Sequence, residues 1–321
     1  VAVGVLAGLV VLAAACGDDD PSASDTSATD TSATDTSASD TSASDTLVTD
    51  SAVETAPADV ATRIVSISPT ATEMLFAIGA GDQVIAVDSL STYPAETAGV
   101  VTELSAFEPN VEAIAEFEPD LVVTDGTNPD LLAQLDSLGI AHWEGPAATT
   151  FSDVYTQIEQ LGAATGRLAD AAELVARIEA DLAELAASVP ELEAPLTYYH
   201  ELDPTYYSVT SDTFIGQIYS LFGLRNIADQ AEGSAGQYPQ LNAEFIISAD
   251  PDIIFLADTK CCQESAETVA ARDGWATITA VANGRVIPMD DDIASRWGPR
   301  IVDYARAVAE AITAAAGAPV G

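Results

Sequence analysis

The chain has 321 residues, of which 48% are apolar, and its 10 Lys plus Arg against 51 Asp plus Glu give a formal net charge of -41. That composition suits two compact domains or one large α/β unit, while so acidic a surface argues against nucleic acid and anionic membrane surfaces as partners. A single lysine, Lys260, leaves little room for Schiff-base chemistry, and two histidines, His142 and His200, exclude a three-histidine metal site.

Residues Val1 to Ala15 are all apolar or glycine and lead into Cys16-Gly17. The run is short for a membrane span and suits the apolar stretch of a signal peptide. Small residues directly before the cysteine resemble a bacterial lipobox, which makes Cys16 the candidate lipidation site. Next, Asp-Thr-Ser-Ala-Ser/Thr repeats four times from Asp25, and residues 17–60 hold 11 acids and no base. Such a segment buries too little apolar surface to offset its ordering entropy. Residues 17–62 therefore read as a disordered tether, whose 46 residues span roughly 40 Å as a flexible coil. An anchor and an acidic tether predict a domain held outside a membrane, on the outer face of the cell membrane or in the periplasm.

From residue 63 the periodicity alternates between strand and helix. Arg63–Ile67 reads as a buried strand, with Ser68 and Pro69 as the cap and first residue of a helix that stops at Gly79. Val84–Val87 is the next strand, Val111–Phe117 a helix, Leu121–Thr124 a strand, Asp130–Leu138 a helix closed by Gly139, and Ile140–Trp143 a strand. Residues 63–163 thus form an N-terminal lobe with a parallel sheet. A helix over 151–163 ends it. A long linking helix follows over Gly166–Ser188, within the segment 164–190, with apolar positions Leu168, Leu174, Val175, Ile178, Leu182 and Leu185, ending before Pro190. Residues 191–321 form a second lobe. Its strands fall at Leu196–Tyr199, Ile253–Leu256 and Val286–Pro288, and its helices at Thr213–Phe222, Ala243–Ser248 and Pro299–Ala315. The adjacent Cys261 and Cys262 of an exported chain either form a vicinal disulfide or bridge two molecules.

The two lobes echo each other. Asn110-Val111-Glu112 through Glu118-Pro119-Asp120 and an apolar strand matches Asn242-Ala243-Glu244 through Asp250-Pro251-Asp252 and an apolar strand. Duplicated lobes joined by a helix predict a cleft, with ligand at the carboxyl ends of the strands.

Arg63-Ile64-Val65-Ser66-Ile67-Ser68-Pro69-Thr70-Ala71-Thr72-Glu73, Tyr93-Pro94, Glu118-Pro119-Asp120-Leu121-Val122 and Ser295-Arg296-Trp297-Gly298-Pro299-Arg300 together resemble the cobalamin/ferric-siderophore class of substrate-binding proteins of ABC importers. The resemblance spans about residues 63–316. It implies an α/β fold of two parallel-sheet lobes on one rigid helix, a shallow cleft, a monomer, and permease and ATPase subunits as partners. Tyr93, Phe107 and Tyr238 match aromatic positions of cobalamin-binding members, where flat apolar faces suit a macrocycle. Glu112 and Glu244 match the glutamates that pair with permease arginines. Where many members carry a tryptophan near Asp125-Gly126 this chain has aspartate, and Trp297 is the candidate replacement.

Siderophore binders often use cleft arginines, for which Arg225, Arg296 and Arg300 are candidates, with holding the last helix in place as the alternative role of Arg300. Haem binders use an axial His or Tyr, for which His200 is the candidate, whereas His142 reads as structural. No resident cofactor or metal is expected, since cobalt or iron would arrive with the ligand. The rival from another class, a secreted α/β enzyme, finds no support in Gly-x-Ser-x-Gly, P-loop or His-Glu-x-x-His motifs. Other rivals are a receptor that presents ligand without transport, and a zinc or manganese binder, which would want more histidines.

Overall fold

The computed structural model describes residues 60–317, so the apolar leader with Cys16 and nearly all of the acidic tether lie outside the described residues. The N-terminal lobe runs β1 (Ile64–Ser66), α1 (Pro69–Ala77), β2 (Val84–Val87), α2 (Val111–Ala115), β3 (Leu121–Thr124), α3 (Pro129–Leu138) and β4 (His142–Glu144). Helices α4 (Phe151–Ala164) and α5 (Leu168–Ser188) follow. The C-terminal lobe runs β5 (Thr197–Glu201), α6 (Phe214–Leu221), β6 (Arg225–Asn226), α7 (Ala243–Ala249), β7 (Ile253–Leu256), α8 (Ala266–Ala270), α9 (Thr279–Ala282), β8 (Val286–Pro288), α10 (Asp291–Ala294) and α11 (Ile301–Gly317).

Each lobe holds a four-stranded parallel sheet, in the orders β2-β1-β3-β4 and β6-β5-β7-β8. Each sheet is buried on both faces, so β3 and β7 read as near-continuous apolar runs, while β5 also buries His200 and Glu201. The outer faces have separate cores, around Val65, Ile67 and Val122 in one lobe and around Tyr199, Ile254 and Trp275 in the other. The inner faces share one continuous core, in which Ile64 and Val123 of one sheet and Tyr198 and Phe255 of the other are joined through α1, α4, α5, α6 and α11. A shared apolar core resists relative movement of the lobes far better than a single loop would.

Local signals account for most boundaries. The Ser68 hydroxyl accepts the Ala71 N–H at the start of α1, with Pro69 at the first helical position. Gly139 closes α3 at φ 70°, where a side chain would be strained. The echo between the lobes is structural as well. Glu118 and Asp250 both adopt positive φ, unusual without glycine, and turn the chain from α2 and α7 into the next strand. Asp120 then accepts the Thr62 and Arg63 N–H groups, and Asp252 accepts the Thr197 N–H, so each carboxylate pins the first strand of its lobe.

Two expectations need correction. The linking helix is α5 alone and starts at Leu168, because Gly166 at φ 69° breaks the chain after α4. Leu168 is 61% exposed although it stands in the apolar series, while Leu174, Val175, Ile178, Leu182 and Leu185 are buried. Helices α4 and α5 cross at Gly162, where a Cβ would come within 2.5 Å of the Ala171 Cβ, and Leu168 lies one turn before that crossing. The short elements β6, α8, α9 and α10 carry too few residues for periodicity to reveal.

Candidate functional site

Strand order reverses between β1 and β3 in one lobe and between β5 and β7 in the other, which directs attention to the carboxyl ends of these strands. Both crevices are filled by polar networks. In the N-terminal lobe the Thr72 hydroxyl meets the Ser66 and Ser91 hydroxyls at 2.8 and 3.0 Å, and the Ser91 hydroxyl donates to buried Asp88. Burial raises the Asp88 carboxyl above its ordinary value. In the C-terminal lobe Glu201, at the end of β5, takes two hydrogen bonds from Arg272, which also bonds Glu264 and lies over the Trp275 ring at 4.6 Å. Asp258 sits buried beside them, and burial followed by the charges of Glu201 and Glu264 pushes it up to about 7.

The segment 296–300, between α10 and α11, is the meeting point of the lobes. Arg296 Nη1 donates to Glu73 Oε1 at 2.8 Å, and Arg300 Nε donates to Glu73 Oε2 at 2.8 Å. Glu73 is the one charged residue of α1 and is 2% exposed. Arg296 Nη2 also donates to the Leu90 carbonyl and to Asp292. Burial opposes the charge of Arg300, yet the Glu73 carboxylate outweighs it and holds the guanidinium more firmly protonated than usual. Trp297 Nε1 donates to Gln157 on α4 at 3.0 Å, and Gln217 on α6 donates to the Thr149 carbonyl, adding two further bonds between the lobes.

Around this segment lie two cavities. One, of about 410 Å³, is lined by Glu73, Phe76, Tyr93, Pro94, Arg300 and Asp303. There the Arg300 guanidinium stacks 4.2 Å from the centre of the Tyr93 ring, next to the cis Tyr93–Pro94 bond. The other, of about 70 Å³, is lined by Ala148, Phe214, Ile218, Tyr238, Arg296 and Trp297. The 296–300 segment thus borders both cavities, with Arg300 beside Tyr93 in one and Arg296 and Trp297 beside Tyr238 in the other. Tyr93 and Tyr238 remain 46% and 52% exposed.

Other candidates are placed elsewhere. Phe107 is 82% exposed on the loop before α2 and lines neither cavity. Arg225 starts β6, paired with Thr197, at the amino ends of the strands, where it lines a separate cavity with Gln230 and Phe245. It is remote from the carboxyl ends that the cleft expectation required. His200 is fully buried, its Nδ1 2.8 Å from the Tyr219 hydroxyl, and burial pushes its ring down to about 3. Its position on β5 turns it into the shared core, so it is enclosed and neutral instead of facing a ligand. His142 is half-buried on the edge strand β4 near Asp136 and Glu144.

Glu112 and Glu244 are exposed, each second in its helix behind an asparagine cap, where a carboxylate complements the helix dipole. Cys261 and Cys262 form a vicinal disulfide, and Asp291 accepts the N–H groups of Thr259, Lys260 and Cys261 beside it. Sequence reasoning missed Glu73 and the Glu201–Asp258–Arg272 cluster. A lone charge in an apolar helix was the available signal for Glu73.

Comparison with known proteins follows this geometry. The chain is 32% identical over 258 residues to "Uncharacterized ABC transporter substrate-binding lipoprotein YvrC" of Bacillus subtilis, covering 78% of this chain and 79% of that protein. It is 33% identical over 250 residues to the "Cobalamin-binding protein" of Halobacterium salinarum, covering 75% and 66%. The crystal structure of the periplasmic heme-binding protein HutB of Vibrio cholerae superposes with a TM-score of 0.69 at 25% identity, covering 78% of this chain and 98% of that one. The family model described as "Periplasmic binding protein" matches residues 64–293. On that match and that identity, with two parallel-sheet lobes joined by a helix, the chain belongs to the periplasmic binding protein family.

Proposed function

We propose that this chain is the extracytoplasmic solute receptor of an ABC importer, that it binds a corrinoid between its lobes, and that it passes the ligand to a permease without covalent chemistry. The carrying observation is the pair of exposed tyrosines, Tyr93 and Tyr238, standing over two cavities that the 296–300 segment connects. Large aromatic faces left open at a cleft suit a flat ligand with much van der Waals area and few hydrogen-bonding groups. The 70 Å³ cavity is too small to enclose a macrocycle, so the ligand would lie across the tyrosines and Trp297, with Phe107 reaching it from the rim. The relatives are solute-binding proteins rather than enzymes, and the Halobacterium protein is named for cobalamin.

Docking would use Glu112 and Glu244, one on each lobe, against permease cations, with Cys16 as the lipid-bearing residue and the acidic tether holding the domain off the membrane. Such charge pairing sets register and on-rate more than affinity. A second reading, a haem or ferric-siderophore receptor, is favoured by the structural likeness to HutB. Titration of tryptophan fluorescence with cyanocobalamin, haemin and ferric siderophores, corrected for inner-filter absorption, tests both. Saturable submicromolar quenching by cyanocobalamin alone supports the corrinoid reading. A response to ferric ligands alone replaces it with the second.

A further inference from the structure

We infer that Cys261–Cys262 is a thiol–disulfide switch, whose reduction by small extracellular thiols loosens the 290–297 segment and lowers ligand affinity. The effect on affinity rests on the cleft being the ligand site; the effect on the segment does not. Both cysteines are exposed on the loop that leaves the carboxyl end of β7, so a small thiol can reach them, and exposed disulfides are the readily reduced kind. Neither belongs to the motifs that carry the resemblance to substrate-binding proteins. The bond joins adjacent residues, so it closes only a small ring around their own peptide bond. It ties no distant parts of the chain together and gains nothing from closing a long loop. Its influence is therefore on the backbone of its own loop.

That loop is fastened to the segment beside the cleft. Asp291, in the first turn of α10, takes the N–H groups of Thr259, Lys260 and Cys261 at 2.9, 2.8 and 2.9 Å. Lys260 Nζ reaches Asp290 at 2.7 Å and Asp292 at 2.8 Å. Asp292 in turn accepts Arg296 Nη2, and Ile293, Arg296 and Trp297 line the cavity of Tyr238. On the other side of the ring the Cys262 N–H donates to the Asp258 carbonyl, and Gln263 follows at φ 61°, which a residue other than glycine adopts only under constraint. One carboxylate can take three successive N–H groups only while they converge on it. The ring restrains the backbone of Cys261 and Cys262, where that run ends.

Reduction balances with a dithiol as the electron donor. One of its thiolates attacks a cysteine sulfur, the S–S bond breaks, and the other cysteine leaves as a thiolate. The second thiol then displaces the first cysteine and closes the reagent's own disulfide. The reagent's protons end on the cysteine sulfurs. Once the ring is open, the loop regains the freedom denied to it, the N–H groups no longer converge on Asp291, and the 290–297 segment loses part of its hold. A ligand must then order that segment itself, at a cost to affinity.

The test compares the full chain oxidised, reduced with dithiothreitol and then freed of it under nitrogen, and reoxidised. Peptide mass mapping across residues 261–262 verifies each state. Amide hydrogen exchange needs no ligand and is read first. Reduction is expected to speed exchange about tenfold at Thr259, Lys260 and Cys261 and about threefold or more across 290–297, with β5 and β7 unchanged and reoxidation restoring the slower rates. Cyanocobalamin and haemin are then titrated, and whichever binds the oxidised protein is expected to bind the reduced protein about threefold or more weakly. The double variant Cys261→Ser with Cys262→Ser should match the reduced protein and ignore dithiothreitol; if it fails to fold, the reduced wild type carries the test. Exchange across 290–297 that is indifferent to reduction overturns the switch, and so does a cysteine pair that air oxidation leaves as thiols. Faster exchange with unchanged affinity overturns its hold on the ligand. If neither probe binds the oxidised protein, the proposed ligand classes fail, while the exchange rates still decide whether the disulfide governs the segment.

Discussion

Glu73 on α1 and Arg300 just ahead of α11 stand 227 positions apart in the chain and meet in a two-point ion pair across the lobes, with Arg300 Nε on Oε2 at 2.8 Å and Nη2 on Oε1. The same guanidinium supports the Tyr93 ring from 4.2 Å. One side chain thus ties the inter-lobe contact to a candidate ligand surface.

Replacing Arg300 with alanine should therefore act twice. A buried carboxylate loses its two-point partner and keeps only Arg296, a change expected to cost about 2–4 kcal/mol. Tyr93 loses its support, and ligand affinity should fall with it. Urea unfolding monitored by circular dichroism measures the first effect. A loss below about 1 kcal/mol would mean that Arg296 alone satisfies Glu73.

The exposed aromatics make a separable prediction. Tyr93→Ala and Tyr238→Ala should each weaken cyanocobalamin binding five- to thirtyfold, equivalent to about 1–2 kcal/mol. Stability should change little for Tyr238, whose ring is half in solvent, and Phe107→Ala should have the smallest effect on both quantities. Isothermal titration of the three variants ranks them, and unchanged affinity in both tyrosine variants would remove those rings from the site.

Charge reversal at Glu112 and Glu244 together should leave ligand binding intact and cut uptake about tenfold or more. Both residues lie in the first turn of their helices, so reversal forfeits dipole stabilisation of roughly 0.5 kcal/mol at each. That is too small to unfold either lobe. Uptake of labelled cobalamin by cells carrying the variant, set beside binding by the purified protein, separates docking from capture. Normal uptake would exclude these two glutamates from docking.

The pH dependence of stability should show two opposed contributions. His200 is held down to about 3 by burial, below its ordinary 6.5, so the unfolded chain binds the extra proton. Its contribution is complete above pH 6.5 and is lost as pH falls towards 3. Asp258 is pushed up to about 7 by burial and by Glu201 and Glu264, above its ordinary 3.8, so the folded chain binds the extra proton. Its contribution is complete below pH 3.8 and is lost as pH rises through 7. Between these limits the two slopes, each at most about 1.4 kcal/mol per pH unit, cancel. Asp258→Asn keeps the neutral shape and should match wild type near pH 4 while exceeding it by about 1–3 kcal/mol at pH 8. His200→Gln should show the reverse trend against wild type, with the gap narrowing as pH falls. Unfolding free energies at four pH values decide it, and parallel curves for all three proteins would refute both assignments.

The architecture was legible because its signals are local. Ser68-Pro69 starts α1, Gly139 closes α3, and the repeated Asn-x-Glu and Pro-Asp segments marked both the duplication and the exposed acids of α2 and α7. The site was less legible. His200 stands on a strand buried on both faces, where alternation gives no cue to which face meets the cleft and which the core. Arg225 matched its expected residue type but stands at the opposite end of its strand, a difference set by where β6 begins.

The sequence by itself determined the alternation of elements, the twin lobes, the long helix between them and the acidic character of the whole. These rest on capping, turn and periodicity rules that act over a few residues. Only the tertiary structure decided which charges are free. Arg296 and Arg300 carry the same charge wherever they stand, and their availability to a ligand depends on Glu73, more than two hundred positions away, being packed between them. Burial and pairing belong to the folded surface, and no local pattern encodes a partner that distant.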